Sequence, residues 1–435
     1  MKLKMIVSAV AATLSASAFA NESINDQSQS RGGIVNVRTD SQYSQQMLNN
    51  QHVTGSVLDI LNARKAGNLA PNAVYIGGKG EIYSKYSSTS GSPVTNPNNT
   101  VTNHNSTTTG IKMPYADLAF TSTIGDWVVG FTDIQVTNAA SSNVILPKAY
   151  FVVGNLCKSP IYAFGGKKVV EFGKFDSVTN FMPTLTRAYF MAYGGQVGAG
   201  FAMKGVDVVA TLMNGKGESM MNSQASSAQQ LNNFALNVSY NGTAGGLFYY
   251  AGAGYVNATG FLANTSTFGV GAANNKMVGA LDFNMGVTIH GLSVNSEFLV
   301  TTSGVKGTNA TALGRVNGSV QGASTSTVDS AGYTAFGINS LPKVINFTSG
   351  STVKAWSLDS SYKVLAGGKD MVPYVSYSQI VQNSDNNLYQ LELGARYNLV
   401  ESVWLGGSYN FMSGKSNGTK VGNFNTLMLD ATVYF

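Results

Sequence analysis

The stretch Leu281-Asp282-Phe283-Asn284-Met285-Gly286-Val287-Thr288-Ile289 decides the fold. Apolar side chains fall on every second residue with polar or small ones between them, the period of an extended strand whose two faces meet different surroundings. The alternation returns at Phe234, Leu236, Val238 and Tyr240 against Ala235, Asn237, Ser239 and Asn241, and at Trp356, Leu358, Tyr362 and Val364 against Ser357, Asp359, Ser361 and Lys363. It returns again at Tyr389, Leu391, Leu393, Ala395 and Tyr397 against Gln390, Glu392, Gly394 and Arg396. A soluble sandwich also alternates, but it carries dense charge on its wet face and keeps its strands near about six residues. These segments run to about ten residues, the length a tilted strand needs to cross a bilayer.

Composition agrees. Of 435 residues only 11% are charged, while 43% are hydrophobic and 10% aromatic; ordinary soluble domains carry about a quarter charged. Mean hydropathy is close to zero, as expected when lipid-facing residues are diluted one for one by polar ones. The aromatic content argues against disorder, and no segment beyond the leader offers the ~20 continuous apolar residues of a membrane helix. The formal charge of +6 is small, and Arg64-Lys65 and Lys167-Lys168 are the adjacent basic pairs beyond the leader, which argues against nucleic acid. Cys157 is the single cysteine, so an exported chain must be held by something other than disulfides, and a closed strand ladder would do it.

Export is read from the N-terminus. Lys2 and Lys4 precede an uncharged apolar run from Met5 to Leu14, and Ala18-Phe19-Ala20 forms a cleavage site, so 1–20 reads as a signal peptide cut between Ala20 and Asn21. No cysteine follows the cut to carry a lipid anchor. Residues 21–71 read as a largely flexible periplasmic segment with a short helix over Val57–Arg64 that Gly67 and Pro71 stop. A spacer, a trimer-forming role and a peptidoglycan-touching role all stand open for it. It is too small to be the folded plug of an energy-coupled transporter.

Residues 72–435 then read as an all-β, transmembrane, antiparallel up-and-down barrel of about sixteen strands. The strands fall near 73–86, 113–122, 126–137, 146–153, 161–172, 188–203, 206–213, 233–241, 245–256, 277–289, 292–302, 354–364, 371–381, 388–397, 402–412 and 424–435. Long polar gaps at 87–112, 138–145, 173–187, 214–232, 257–276, 303–353, 382–387 and 413–423 alternate with short ones such as Lys204-Gly205, His290-Gly291 and Leu365 to Asp370. Such alternation fits external loops and periplasmic turns in the outer membrane of a Gram-negative bacterium, with both termini on one side. The last strand places Leu427, Leu429, Ala431, Val433 and Phe435 around Met428, Asp430, Thr432 and Tyr434. It resembles the C-terminal recognition strand of outer-membrane barrels, which implies the barrel assembly machinery as a partner beside outer-membrane lipid.

A central block narrows the reading. Pro160-Ile161-Tyr162-Ala163-Phe164-Gly165-Gly166-Lys167-Lys168, then Phe172-Gly173-Lys174-Phe175-Asp176, then Asn180-Phe181-Met182-Pro183-Thr184-Leu185-Thr186 resembles the signature of the LbtU-type siderophore porins. The chain departs from it in reading Pro-Thr-Leu-Thr for Pro-Leu-Thr and in lacking a clear N-terminal coiled coil. The resemblance implies a sixteen-stranded porin taking up an iron-chelating small molecule, a ferric siderophore, without an energy-coupling plug. A general diffusion porin and a non-conducting surface barrel acting as adhesin or structural protein, closed by 303–353, are the alternatives. A homotrimer is compatible with either.

Lys167, Lys168, Glu171, Lys174, Asp176 and Arg187 concentrate charge around the fifth strand and the following loop. If that loop folds inward, opposed charges set a field across a constriction, and a net basic rim would favour carboxylate-bearing solutes. Asp207, Asp282, Asp359, Lys363, Glu392 and Arg396 are pore-wall candidates by parity. Trp127, Trp404, Tyr249-Tyr250 and Tyr434-Phe435 read as interfacial anchors. His52, His104 and His290 are too scattered for a triad or a metal cluster, and the Gly-rich run 242–254 lacks the Lys-Ser/Thr and helix of a phosphate loop. No enzyme, cofactor or metal is expected.

Overall fold

The computed structural model describes residues 36–38, 56–90, 94–95, 101–102, 106–113, 115–137, 143–179, 182–191, 193–214, 231–257, 278–304, 310–311, 346–347, 350–416 and 418–435. Sixteen strands form one closed antiparallel wall. In chain order they are β1 (Ala73–Ser90), β2 (Tyr115–Ile124), β3 (Val128–Thr137), β4 (Asn143–Gly154), β5 (Ile161–Val169), β6 (Tyr193–Met203), β7 (Val206–Asn214) and β8 (Leu231–Ala244). They continue as β9 (Leu247–Val256), β10 (Ala280–Ile289), β11 (Leu292–Thr301), β12 (Lys354–Tyr362), β13 (Lys369–Asn383), β14 (Asn386–Val400), β15 (Val403–Ser416) and β16 (Thr419–Tyr434). Each pairs with the next, and β16 returns to β1 from Lys79↔Tyr434 to Ser90↔Asn423, so the main wall leaves no long open edge.

Alternation becomes a physical partition here. Leu281, Phe283 and Met285 on β10, Leu236 and Val238 on β8, and Leu427 and Leu429 on β16 point outward and are exposed, while Asp282 and Asn284 on β10 and Thr426 and Thr432 on β16 point inward and are buried. A hydrophobic outside and a polar inside invert the soluble rule, because the outward face has lipid as its solvent. Among the described residues no helix is long and apolar enough to cross a membrane.

Short turns gather at one end: Lys204-Gly205, Gly245-Gly246 and His290-Gly291 join their strands there, with positive φ at every one of these residues.

 All six positions therefore occupy the left-handed region that type I′ hairpins require, and their two-residue length pins the strand register. At the same end Phe435 exchanges backbone hydrogen bonds with Gly78, N to O at 3.0 and 2.7 Å. β1 extends below that point, and Asn36–Arg38 pairs in parallel with its residues Ala73–Tyr75.

The other end departs from expectation in two places. The gaps expected at 382–387 and 413–423 are mostly strand: β13 and β14 run to Asn383 and Asn386, and β15 and β16 to Ser416 and Thr419. Asn383 Oδ1 accepts from the backbone of Asp385 and Asn386 at 3.0 and 2.9 Å, closing a tight hairpin. Polar strand residues beyond an apolar band look like loop in composition although the ladder continues through them. Ser106–Lys112 likewise extends β2 along Tyr83–Thr89. The signal peptide, His52, His104, Asn180, Phe181 and most of 214–232, 257–276 and 303–353 lie outside the described residues.

Candidate functional site

The connection from β5 to β6 crosses the lumen to the opposite wall. Lys174 and Phe175 donate their backbone N–H groups to Glu297 Oε1 on β11, at 3.0 and 2.8 Å. A Cβ at Gly254 of β9 would overlap the Phe172 carbonyl, so the wall must lack a side chain where the loop backbone passes. Phe172 and Phe175 are fully buried and meet edge to face with centroids 5.1 Å apart, which anchors the turn apolarly as well. Further along, Thr184 caps α1 (Leu185–Phe190), its hydroxyl accepting from Arg187 N at 3.4 Å. Leu185 N donates to Ser378 Oγ on β13 at 3.0 Å, and the Thr186 hydroxyl reaches Ser357 Oγ on β12 at 3.3 Å. The Phe-Gly-Lys-Phe-Asp and Pro-Thr-Leu-Thr runs are thus two places, among the described residues, where this loop is fastened across the lumen.

The predicted site residues separate into three groups. Lys168, Glu171, Lys174, Asp176 and Arg187 lie on or beside the crossing loop: Lys168 ion-pairs with Glu171, and Lys174 with Asp176 at 3.2 Å. Asp207, Asp282, Asp359 and Glu392 point inward and are buried, and Arg396 shares the inward parity of Glu392, with its guanidinium 5.1 Å from the Trp404 ring. Lys167 and Lys363 fall elsewhere. Neighbouring residues on a strand face opposite sides, so Lys167 turns away from the lumen when Lys168 turns in, and its Nζ reaches the Leu146 carbonyl at 2.9 Å. Lys363 is exposed at the short-turn end and pairs with Asp370 at 2.8 Å.

Several inward charges escaped the sequence reading. Lys79 ion-pairs with Glu81 on β1, Asp117 on β2 accepts from Gln135 at 2.9 Å, and Asp133 on β3 stands opposite Lys148 on β4. Glu297 was missed too, although it alternates with Phe298 as Asp282 does with Phe283. Acids and bases mix on β1–β5, whereas β10–β14 present Asp282, Glu297, Asp359 and Glu392 with Arg396 as the inward cation among the described residues. The lumen is therefore more acidic than a basic rim around the fifth strand implies.

A second element occupies the lumen. The helix expected before the barrel forms over Val57–Lys65, and Val57, Ile60 and Leu61 are buried among inward residues of β1–β5 and β7: Tyr75, Val129, Phe131, Tyr150, Val152, Tyr162, Phe164 and Val209. Such an apolar patch on an inner wall needs a cover, and burying one aliphatic side chain fully contributes roughly 1.5–3 kcal/mol. The free N–H of Val57 donates to Glu171 Oε1 on the crossing loop at 3.0 Å, so an acid meets the positive end of the helix. Arg64 donates to the carbonyls of Gly125 and Val128 on the turn between β2 and β3. Burial raises the Asp59 carboxyl to about 6, with Lys174 and Lys168 opposing the shift and Asp176 and Glu171 adding to it.

Between this helix, the crossing loop and β7–β10 lies a cavity of about 510 Å³, lined by Asp59, Asn62, Glu171, Lys174, Asp176 and Asp207 and by Asn237, Asn241, Tyr250 and Asn284 of the wall. Among the described residues no three His, Cys, Asp or Glu side chains gather as a metal ion would need.

No family model and no curated protein matches the chain. Solved structures do resemble it. The outer membrane channel DcaP of Acinetobacter baumannii is 10% identical at a TM-score of 0.49, covering 83% of this chain and 97% of its own. Salmonella typhi OmpF in complex with daunomycin is 12% identical at 0.49, with 83% and 97% covered. A loop-deletion mutant of Vibrio cholerae OmpT, an outer membrane protein, is 12% identical at 0.47, with 83% and 99% covered.

Proposed function

We propose that the chain is an outer-membrane channel that passes small solutes passively. The observation that carries this reading is the crossing loop: a closed wall, apolar outside and charged inside, holds a segment across its lumen by named hydrogen bonds and leaves a polar cavity beside it. Short turns then face the periplasm and the long connections face outward, with the signal peptide removed between Ala20 and Asn21. Outer-membrane lipid contacts the exposed apolar band, and the barrel assembly machinery reads the strand ending in Phe435. Homotrimer assembly belongs to the same reading.

Uptake of an iron chelate is its finer form and rests on the resemblance of the central block. With Lys168 and Lys174 each paired to an acid and Lys167 turned away, the acidic lining supports cationic or neutral chelates over polycarboxylates. Single-channel conductance of the refolded barrel under a salt gradient tests this. Stable steps with cation preference, blocked by a cationic ferric siderophore, are the expected result; anion preference overturns the charge argument.

A second reading has its own support. Helix and crossing loop both lie inside the lumen, which suits a barrel that does not conduct and serves adhesion or structure. Silence from well-folded protein in the bilayer would favour it.

A further inference from the structure

We infer that the cavity between the N-terminal helix, the crossing loop and β7–β10 is a binding chamber for amine- or guanidinium-bearing solutes, and that Asp59 and Asn62 of the helix contact the solute. The inference rests on the channel reading for its role and on geometry for its chemistry. Asp59, Glu171, Asp176 and Asp207 line the chamber against one cation, Lys174. These acids come from three different elements, the helix, the crossing loop and β7, and are spread round about 510 Å³. No three of them converge as metal ligands would; spaced carboxylates suit an extended cation with several N–H donors.

The chain itself displays how such a group would be held. Lys174 sets its ammonium 3.4 Å from the centre of the Tyr250 ring and 3.2 Å from Asp176 Oδ2. An aromatic face and a carboxylate on one ammonium form a cation subsite, occupied here by a side chain that an incoming alkylammonium can displace. Asn237 Oδ1 lines the same cavity as an acceptor that takes no hydrogen bond from the protein, and it supplies a further place for an N–H donor. Phe248 and Leu58 give the chamber apolar surface for a methylene chain. The helix is a wall of this chamber because its other face is buried on the inner-wall patch.

Spermidine is the probe. In planar bilayers it should block wild-type channels, and Asp59→Asn should weaken the block about tenfold, the equivalent of one charge-assisted contact. Asp385→Asn, on the hairpin at the far end, should block as wild type does. Equal block of wild type and Asp59→Asn overturns the chamber. Calorimetric titration of spermidine into the folded, detergent-solubilised barrel separates the two readings. Binding that Asp59→Asn weakens, in a protein that does not conduct, upholds the chamber and defeats the channel; absence of binding defeats the chamber whatever the conductance.

Discussion

Asp59 shows how one side chain couples the helix to the crossing loop. Its carboxyl is raised from 3.8 to about 6, first by burial, and it faces Lys174, Asp176 and Glu171 of the crossing loop, Lys168 of β5 and Asp207 of β7. A raised carboxyl binds its proton more readily in the docked state than in the free one, so docking is strongest below about pH 4 and weakens as pH rises through about 6. Trypsin cleavage after Arg64 or Lys65 should therefore quicken between pH 4 and pH 7, after correction for the enzyme's own pH profile on an unstructured peptide of the same sequence. Asp59→Asn should flatten that dependence. A wild-type profile as flat as the variant's would place the carboxyl in ordinary solvent.

At the scale of elements, sequence read the strands well and the lumen contents poorly. Period-two alternation located β8, β10, β12, β14 and β16 because each separates two solvents along its length. The helix was legible too, from Val57 to Arg64, but not its place: Val57, Ile60 and Leu61 are too few to show which surface they cover, and the covering patch is scattered over six strands. Tyr75, Phe131, Tyr162 and Phe164 carry the only hint, being bulky residues at inward positions where a water-filled wall should be polar. Leu61→Asp should undock the helix, since a buried leucine of this kind contributes about 2–5 kcal/mol and an unpaired charge adds to the loss. Open-channel conductance should rise while heat-modifiable migration of the barrel stays unchanged. The crossing loop offers an independent check: Gly254→Val puts a side chain where the Phe172 carbonyl lies, and should free the loop and enlarge the channel without touching any charge.

For the whole molecule the decisive contact is closure. β16 meets β1 over Lys79 to Ser90, and beyond the last pair Phe435 exchanges two backbone hydrogen bonds with Gly78. The Phe435 ring lies where a Gly78 side chain would stand, and the Asp117 carbonyl is 2.8 Å from the same point. A barrel gains its stability cooperatively, because each strand is paired on both sides only once the ring is shut. Gly78→Val should therefore displace Phe435, loosen the seam at the short-turn end and lower the temperature at which the folded band is lost on a cold gel. Phe435→Ala removes the ring but keeps both backbone hydrogen bonds, so it should spare that temperature more than Gly78→Val does. If assembly in cells nonetheless fails for Phe435→Ala while refolding in detergent succeeds, the terminal ring acts as a recognition signal and not as a structural one. Equal loss of melting temperature in both variants would instead assign the ring to packing at the seam.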